Sequence, residues 1–148
     1  MWTIREILHP SDFSPASRPA FEKAIGSAKA FRARLLIVHV LPALPTSVTG
    51  YMAPETWDRI LEDQRAVAQR QLDRMMAKAR AAGVRASSLL IDAGSTHEQI
   101  VRAARRRRIG LIVMGTHGRT GLARALLGSV ASRVVAMASC PVLTVHAR

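Results

Sequence analysis

Apolar positions along this chain follow two periods, and segments of the two kinds alternate. Segments of strand length occur at 3–8, 35–40, 84–91 and 109–114, those at 35–40 and 109–114 being apolar runs, and a last apolar one runs from Pro141 to His146. Between them apolar residues recur at helical spacing. Ser14 before Pro15 supplies a helix start, followed by Ala20, Phe21, Ala24, Ile25, Ala28 and Phe31 on one face. A long helix is predicted over 54–82, with Trp57, Ile60, Leu61, Val67, Ala68, Leu72, Met75, Met76 and Ala79 on its apolar side and Gly83 just past its end. Ser95 and Glu98 have capping-box spacing ahead of Ile100, Val101 and Ala104, and that third helix ends in Arg105 to Arg108. A fourth is expected from Ser129 to Ala138, while Pro42, Pro45 and Gly50 make 41–53 an irregular loop. Five strands alternating with four helices predict a single-domain α/β fold, with right-handed crossovers and an open parallel sheet that carries helices on both faces.

Length and composition add limits. At 148 residues and 49% hydrophobic, with mean hydropathy +0.10, the chain suits one domain, 1–148, with a real core. No apolar run is long enough to cross a bilayer, so no membrane insertion is expected. The first residues, Met1-Trp2-Thr3-Ile4-Arg5-Glu6, lack the features of a secretory signal, so a cytoplasmic location is expected. The single cysteine, Cys140, precedes Pro141 at the entry to an apolar strand and reads as a packing residue. The histidines at 9, 39, 97, 117 and 146 show no metal-ligand spacing, so no protein metal site is expected. The charge is unusual: 22 Lys plus Arg against 10 Asp plus Glu give +12, and a pI near 11.7. Such a field attracts polyanions, weakly and without sequence preference. The Arg105 to Arg108 run itself reads as a solvated last helical turn whose cations complement the helix's negative end, or else as an anion-binding patch.

The stretch from Gly115 to Val130 carries the candidate chemistry. It follows an apolar strand and leads into a helix, with glycines at 115, 118, 121 and 128, hydroxyls at Thr116, Thr120 and Ser129, and cations at Arg119 and Arg124. Main-chain N–H groups of such a loop, with those of the helix start, form a cradle for phosphates. It is not a P-loop, because Ser129 and Val130 follow Gly128 where lysine and a hydroxyl residue would be needed. Nor are its glycines spaced as in the dinucleotide fingerprint.

Gly115, two residues, Gly118, nine residues, then Gly128 and Ser129 resembles the nucleotide loop of the universal stress proteins, in their ATP-binding branch. The likeness extends over nearly the whole chain. Ile7 to Ser14, with its Pro10-Ser11-Asp12 turn, is similar to the family's first strand and acidic turn, Leu36 to Val40 to its second strand, and Cys140 to Leu143 to its last. The resemblance implies strand order 3-2-1-4-5, with ligands bound where strands one and four send their connections to opposite faces. It implies ATP as the ligand, with Mg2+ on the triphosphate, and a set of contacts for it. Pro10, Ser11 and Asp12 would lie at the ribose, Asp12 accepting from its hydroxyls or helping to hold the metal. Val40 would meet the adenine edge through its main chain. Gly115, Gly118, Gly128, Ser129 and Val130 would hold the phosphates through backbone N–H groups, with His117 near them, Arg119 either clamping the triphosphate or facing solvent, and Met114 also at the binding site. The family commonly forms homodimers through the strand matching Pro141 to His146. Two departures stand out: the basicity, and Ser132 where many members carry glutamate.

No paired carboxylates, lysine or nucleophile and base stand near the loop, so the expected role is a nucleotide sensor or switch with slow or no hydrolysis, at most a weak ATPase. The alternatives are a stress protein that binds no nucleotide and acts through its dimer surface, and a basic nucleic-acid-binding module using Arg102, Arg105 to Arg108, Arg119, Arg124 and Arg133.

Overall fold

A computed structural model of the chain describes residues 3–45, 47, 50–117 and 126–147. Five strands, β1 (Glu6–Pro10), β2 (Arg34–Val40), β3 (Ala86–Ile91), β4 (Leu111–Gly115) and β5 (Val142–Val145), form one parallel sheet in the order β3-β2-β1-β4-β5. The helices among the described residues are α1 (Arg18–Phe31), α2 (Pro54–Ala81), α3 (Thr96–Arg106) and α4 (Ser129–Met137), with a short 3-10 turn, Pro15–Ser17, before α1.

The central strands β1, β2 and β4 are buried on both faces because helices cover both, and the period of two sorts their side chains between them. Ile7, Leu35, Ile37, Leu111 and Val113 pack with Phe21 and Ala24 of α1 and Leu72 and Ala79 of α2. Their neighbours in sequence, Leu8, Leu36, Val38, Ile112 and Met114, pack with Ile100 and Ala104 of α3 and Ala131 and Val134 of α4. Two half-cores of this kind fix the register, since a slip of one residue would exchange every side chain between them.

Some boundaries move. β1 begins at Glu6, not Thr3, and runs through Pro10, because the ladder continues beyond Leu8: Pro10 pairs with Val38 and Ser11 N–H donates to Val38 O at 2.9 Å. A proline at a strand's end loses only an N–H that a central position would need. The Ser14 cap takes another form, since Ser14 leads the 3-10 turn, its side chain caps nothing, and α1 starts at Arg18. The Ser95–Glu98 capping box does not form either. Ser95 is the N-cap of α3, but its Oγ lies 2.9 Å from His97 Nδ1 and makes no cap bond. Phe31, expected on the core face of α1, is 49% exposed, because the helix ends there and Arg32 turns the chain at φ 53°. On α2 only Ala68, Leu72 and Ala79 are buried, and Val67 is exposed. Gly83 does follow α2 at φ 84°, a conformation natural to glycine.

Candidate functional site

At the carboxyl ends of the strands, where β1 and β4 lie side by side and their chains leave to opposite faces, the sheet opens into a cleft of about 300 Å³. Its walls bring together Pro10, Ser11, Asp12, Val40, Met114, Gly115, His117, Gly128, Ser129 and Val130, residues up to 120 positions apart that the sequence had nominated. Gly118, Arg119 and Arg124, together with Thr120 and Gly121, lie outside the described residues. Thr116, named from the sequence as a hydroxyl of the loop, also lines the cleft, whereas the sequence reading missed Ser17, Val38, His39, Pro42, Thr96, Ile100 and Ala131 as lining residues. Two of these had a readable signal. Val38 shares a face with Val40 at a spacing of two, and His39 is the one polar residue in an otherwise apolar run.

The turn after β1 is held by its own side chains. Asp12 Oδ1 accepts the N–H of Ser14 at 2.9 Å, an Asx turn, and Ser11 Oγ accepts the N–H of Phe13 at 3.1 Å. Ser17 Oγ donates to Ser14 O at 2.8 Å. From β2, His39 Nδ1 donates to Ser11 O at 2.7 Å, and its ring stacks on Phe13 at 4.2 Å between centroids. Phe13 sits at φ 64°, unusual for a bulky side chain, so the stacking and hydrogen bonds must outweigh a local strain of order 1 kcal/mol. Asp12 therefore has both a turn role and a place on the cleft wall.

Across the cleft, the β4 loop returns to α4 through a close main-chain contact. Gly128 N–H donates to Thr116 O at 2.7 Å, and a Cβ on Gly128 would stand 2.9 Å from that same oxygen. Glycine is required here by approach, since its φ is −58°. The amide of Gly128 is thus engaged, and the donors that α4 turns toward the cleft are the N–H groups of its first turn, at Ser129, Val130 and Ala131. Ser132 doubles the hold on this turn, its N–H and Oγ both donating to Gly128 O at 3.0 and 2.7 Å. That local bond is the use made of the position where the resembled family often has glutamate. His117, half-buried, has Nδ1 3.0 Å from Thr116 Oγ1 and a buried Nε2 with no partner among the described residues.

The other wall is apolar. Val38, Val40, Ile100 and Met114 line it beside the polar turn. Beneath it His9 is fully buried against Phe21, Nδ1 donating to Val113 O at 2.9 Å, and burial pushes its pKa down to about 4. Cys140 is half-buried beside the α3–α4 half-core, and burial raises its thiol pKa, which makes it a poor nucleophile.

The cleft thus combines an apolar wall, a carboxylate at a polar turn, and the amides of a helix start. Among the described residues no three His, Cys, Asp or Glu side chains gather to hold a metal, and Asp12 is the one carboxylate on the cleft wall, so a divalent ion would arrive on the phosphates. No described helix is long and apolar enough to cross a membrane.

A model of the universal stress protein family matches residues 3–146. The chain is 38% identical over 141 residues to universal stress protein MJ0531 of Methanocaldococcus jannaschii, covering 95% of this chain and 81% of that one. A solved structure of a family protein from Burkholderia pseudomallei superposes with a TM-score of 0.78 at 30% identity, covering 97% of each chain. The fold is shared, at 21% identity and a TM-score of 0.68, with the universal stress protein of Archaeoglobus fulgidus in complex with dAMP, covering 97% of this chain and 98% of that one.

Proposed function

As the chain belongs to the universal stress protein family, we propose that its cleft binds ATP and that the protein acts as a nucleotide-dependent sensor or switch in the stress response, with slow or no hydrolysis. One observation carries this reading: the two turns that flank the β1–β4 crevice, far apart in sequence, line one cleft with amide donors on one side and an apolar wall on the other. The dAMP complex of a protein with this fold is in keeping with an adenine ligand.

Each residue then has a physical task. Val38, Ile100 and Met114 offer an apolar wall to the purine, and Val40 offers main-chain groups to its edge. Asp12 accepts from ribose hydroxyls. Ser129, Val130 and Ala131 present N–H groups to phosphate oxygens at the positive end of α4, taking over the part expected of the Gly128 amide. His117 Nε2 faces the same region without a protein partner among those described. Mg2+ would be held mainly by the triphosphate and water, with Asp12 the nearest protein oxygen by role. Among the described residues no lysine or second carboxylate lines the cleft, in keeping with a site that holds the ground state and speeds chemistry little.

The expected assembly is a homodimer through β5, the edge strand, and the expected compartment is the cytoplasm. Calorimetric titration with ATP and magnesium tests the central claim. Uptake of one equivalent is expected, and a hundredfold excess over Kd should add about 2.7 kcal/mol of stability. No heat and no thermal shift at millimolar ATP would sink it. Parallel titrations with ADP and a cyclic nucleotide rank the ligands.

A further inference from the structure

In a parallel sheet every strand starts, and every covering helix stops, at the same end of the molecule. Here that end lies opposite the cleft. The segments that make it up are 3–6, 28–34, 78–85, 103–110 and 134–141, and they hold eleven of the chain's 22 lysines and arginines. Glu6 is their one acid, so nine of the ten acids lie elsewhere and the pole carries +10.

Helix capping explains only part of this. Each helix end carries roughly −0.5 of an elementary charge, about −2 for four helices, far short of +10. Some of the cations have local work. Arg34 and Arg107 bracket the buried Glu6 at 3.0 and 2.9 Å, Arg80 donates to Ala86 O at 3.1 Å, and Arg105 reaches Met137 O at 3.4 Å. Arg5, Arg32, Arg85, Arg106 and Arg108 are exposed and have no acceptor among the described residues. The backbone aligns several of them: Arg34 N–H donates to Arg5 O and Leu35 N–H to Arg85 O, both at 2.9 Å. Arginines therefore stand at the starts of three neighbouring strands, and Arg106 to Arg108 extend the row to a fourth. At strand spacing the front is about 14 Å wide.

We infer that this pole is a second binding surface, independent of the cleft, for the phosphate backbone of duplex nucleic acid, engaged without reading bases. Nine of the eleven cations are arginine, whose planar fork matches phosphate oxygens in pairs. The helices meet the pole end-on, so none lies flat as a lipid-inserting helix would, and of the large exposed apolar side chains only Phe31, Val135 and Met137 lie in these segments. Phe31 is also its one exposed aromatic, too few for a stacking platform on single strands. Because the cleft opens at the opposite end, nucleotide and duplex occupy the protein together.

Fluorescence anisotropy with a labelled mixed-sequence duplex of about 24 base pairs, between about 50 and 200 mM salt, tests this. The triple variant R5Q/R85Q/R106Q removes three unpaired pole charges, and K23Q/R59Q/R70Q removes the same charge from exposed positions on α1 and α2. The pole variant should bind about tenfold or more weakly, with the log K against log salt slope flattened by about 2 to 3, while the control changes less than about threefold and MgATP changes nothing. Equal losses in the two triples, no duplex binding at about 50 mM salt, displacement by MgATP, or tighter binding to vesicles of about 30% phosphatidylserine would each overturn the inference. Because duplex binding is read without nucleotide, failure of ATP to bind leaves this result intact.

Discussion

Gly128 shows how a single absent atom positions a binding loop. Its Cβ would meet Thr116 O at 2.9 Å, so a side chain there must push back the main chain that closes the loop. Gly128→Val is expected to cost about 1–3 kcal/mol in stability and to remove the thermal shift given by ATP with magnesium. A variant that folds and still shifts by the wild-type amount would show that the close contact is dispensable for binding. His9 makes a different prediction. Its pKa falls from 6.5 to about 4 on folding, so between these values the unfolded chain binds more protons and stability rises with pH. The full contribution, roughly 3 kcal/mol, is present above pH 6.5 and is lost as pH falls toward 4. Urea unfolding of wild type and His9→Phe from pH 4.5 to about 8 checks this: the variant should lose most of the pH slope, and an unchanged slope would assign it to other groups. Residue chemistry was partly legible in the sequence. Glycines, Asp12 and Ser129 announce themselves by type, whereas the roles of His9 and Thr116 come from partners far along the chain, Val113 and Val145.

At the scale of elements, the sequence pattern located the five strands and four α-helices of the described residues but not the 3-10 turn at Pro15–Ser17, and element ends were harder. An apolar run says that a strand exists, but its last residue is set by the neighbouring strand's ladder, which is why β1 reaches Pro10. Capping patterns failed at Ser14 and Ser95 because other groups competed for the backbone or for the hydroxyl, His97 in the second case. Glu6 was unreadable as a core residue. Its carboxylate is buried at the strand starts, where Arg34 of β2 and Arg107 beyond α3 close on it from two sides. Both arginines are about half exposed, so their charges stay solvated when the acid is removed, and Glu6→Gln should cost about 1–2 kcal/mol, less than breaking a wholly buried pair. Chemical denaturation measures it. A loss below about 0.3 kcal/mol would mean the bridge adds nothing to holding the strand starts together.

At the scale of the whole molecule, sheet order is what gathers separated motifs, and no local pattern encodes it. Alternation gave the α/β class, while the family likeness supplied the order β3-β2-β1-β4-β5 that the fold then displays. The same order leaves β5 at an edge, with Leu143 42% exposed and Val135 and Met137 of α4 also exposed. An edge with apolar side chains beside it favours pairing with a second copy. Light scattering at micromolar concentration should therefore return twice the chain mass, and Leu143→Arg should return one chain without unfolding it. A wild-type monomer would refute the assembly.

Thr116 is pinned on both sides of the cleft's mouth. Its N–H donates to Val145 O at 3.0 Å and its own carbonyl receives the Gly128 amide, so one residue, through its two flanking peptide units, rivets the final strand to the mouth of the cleft. Whatever tightens or loosens that mouth pulls on the strand expected at the junction between subunits, with no intervening hinge to absorb the strain. Amide exchange at position 116 becomes a gauge of both events at once.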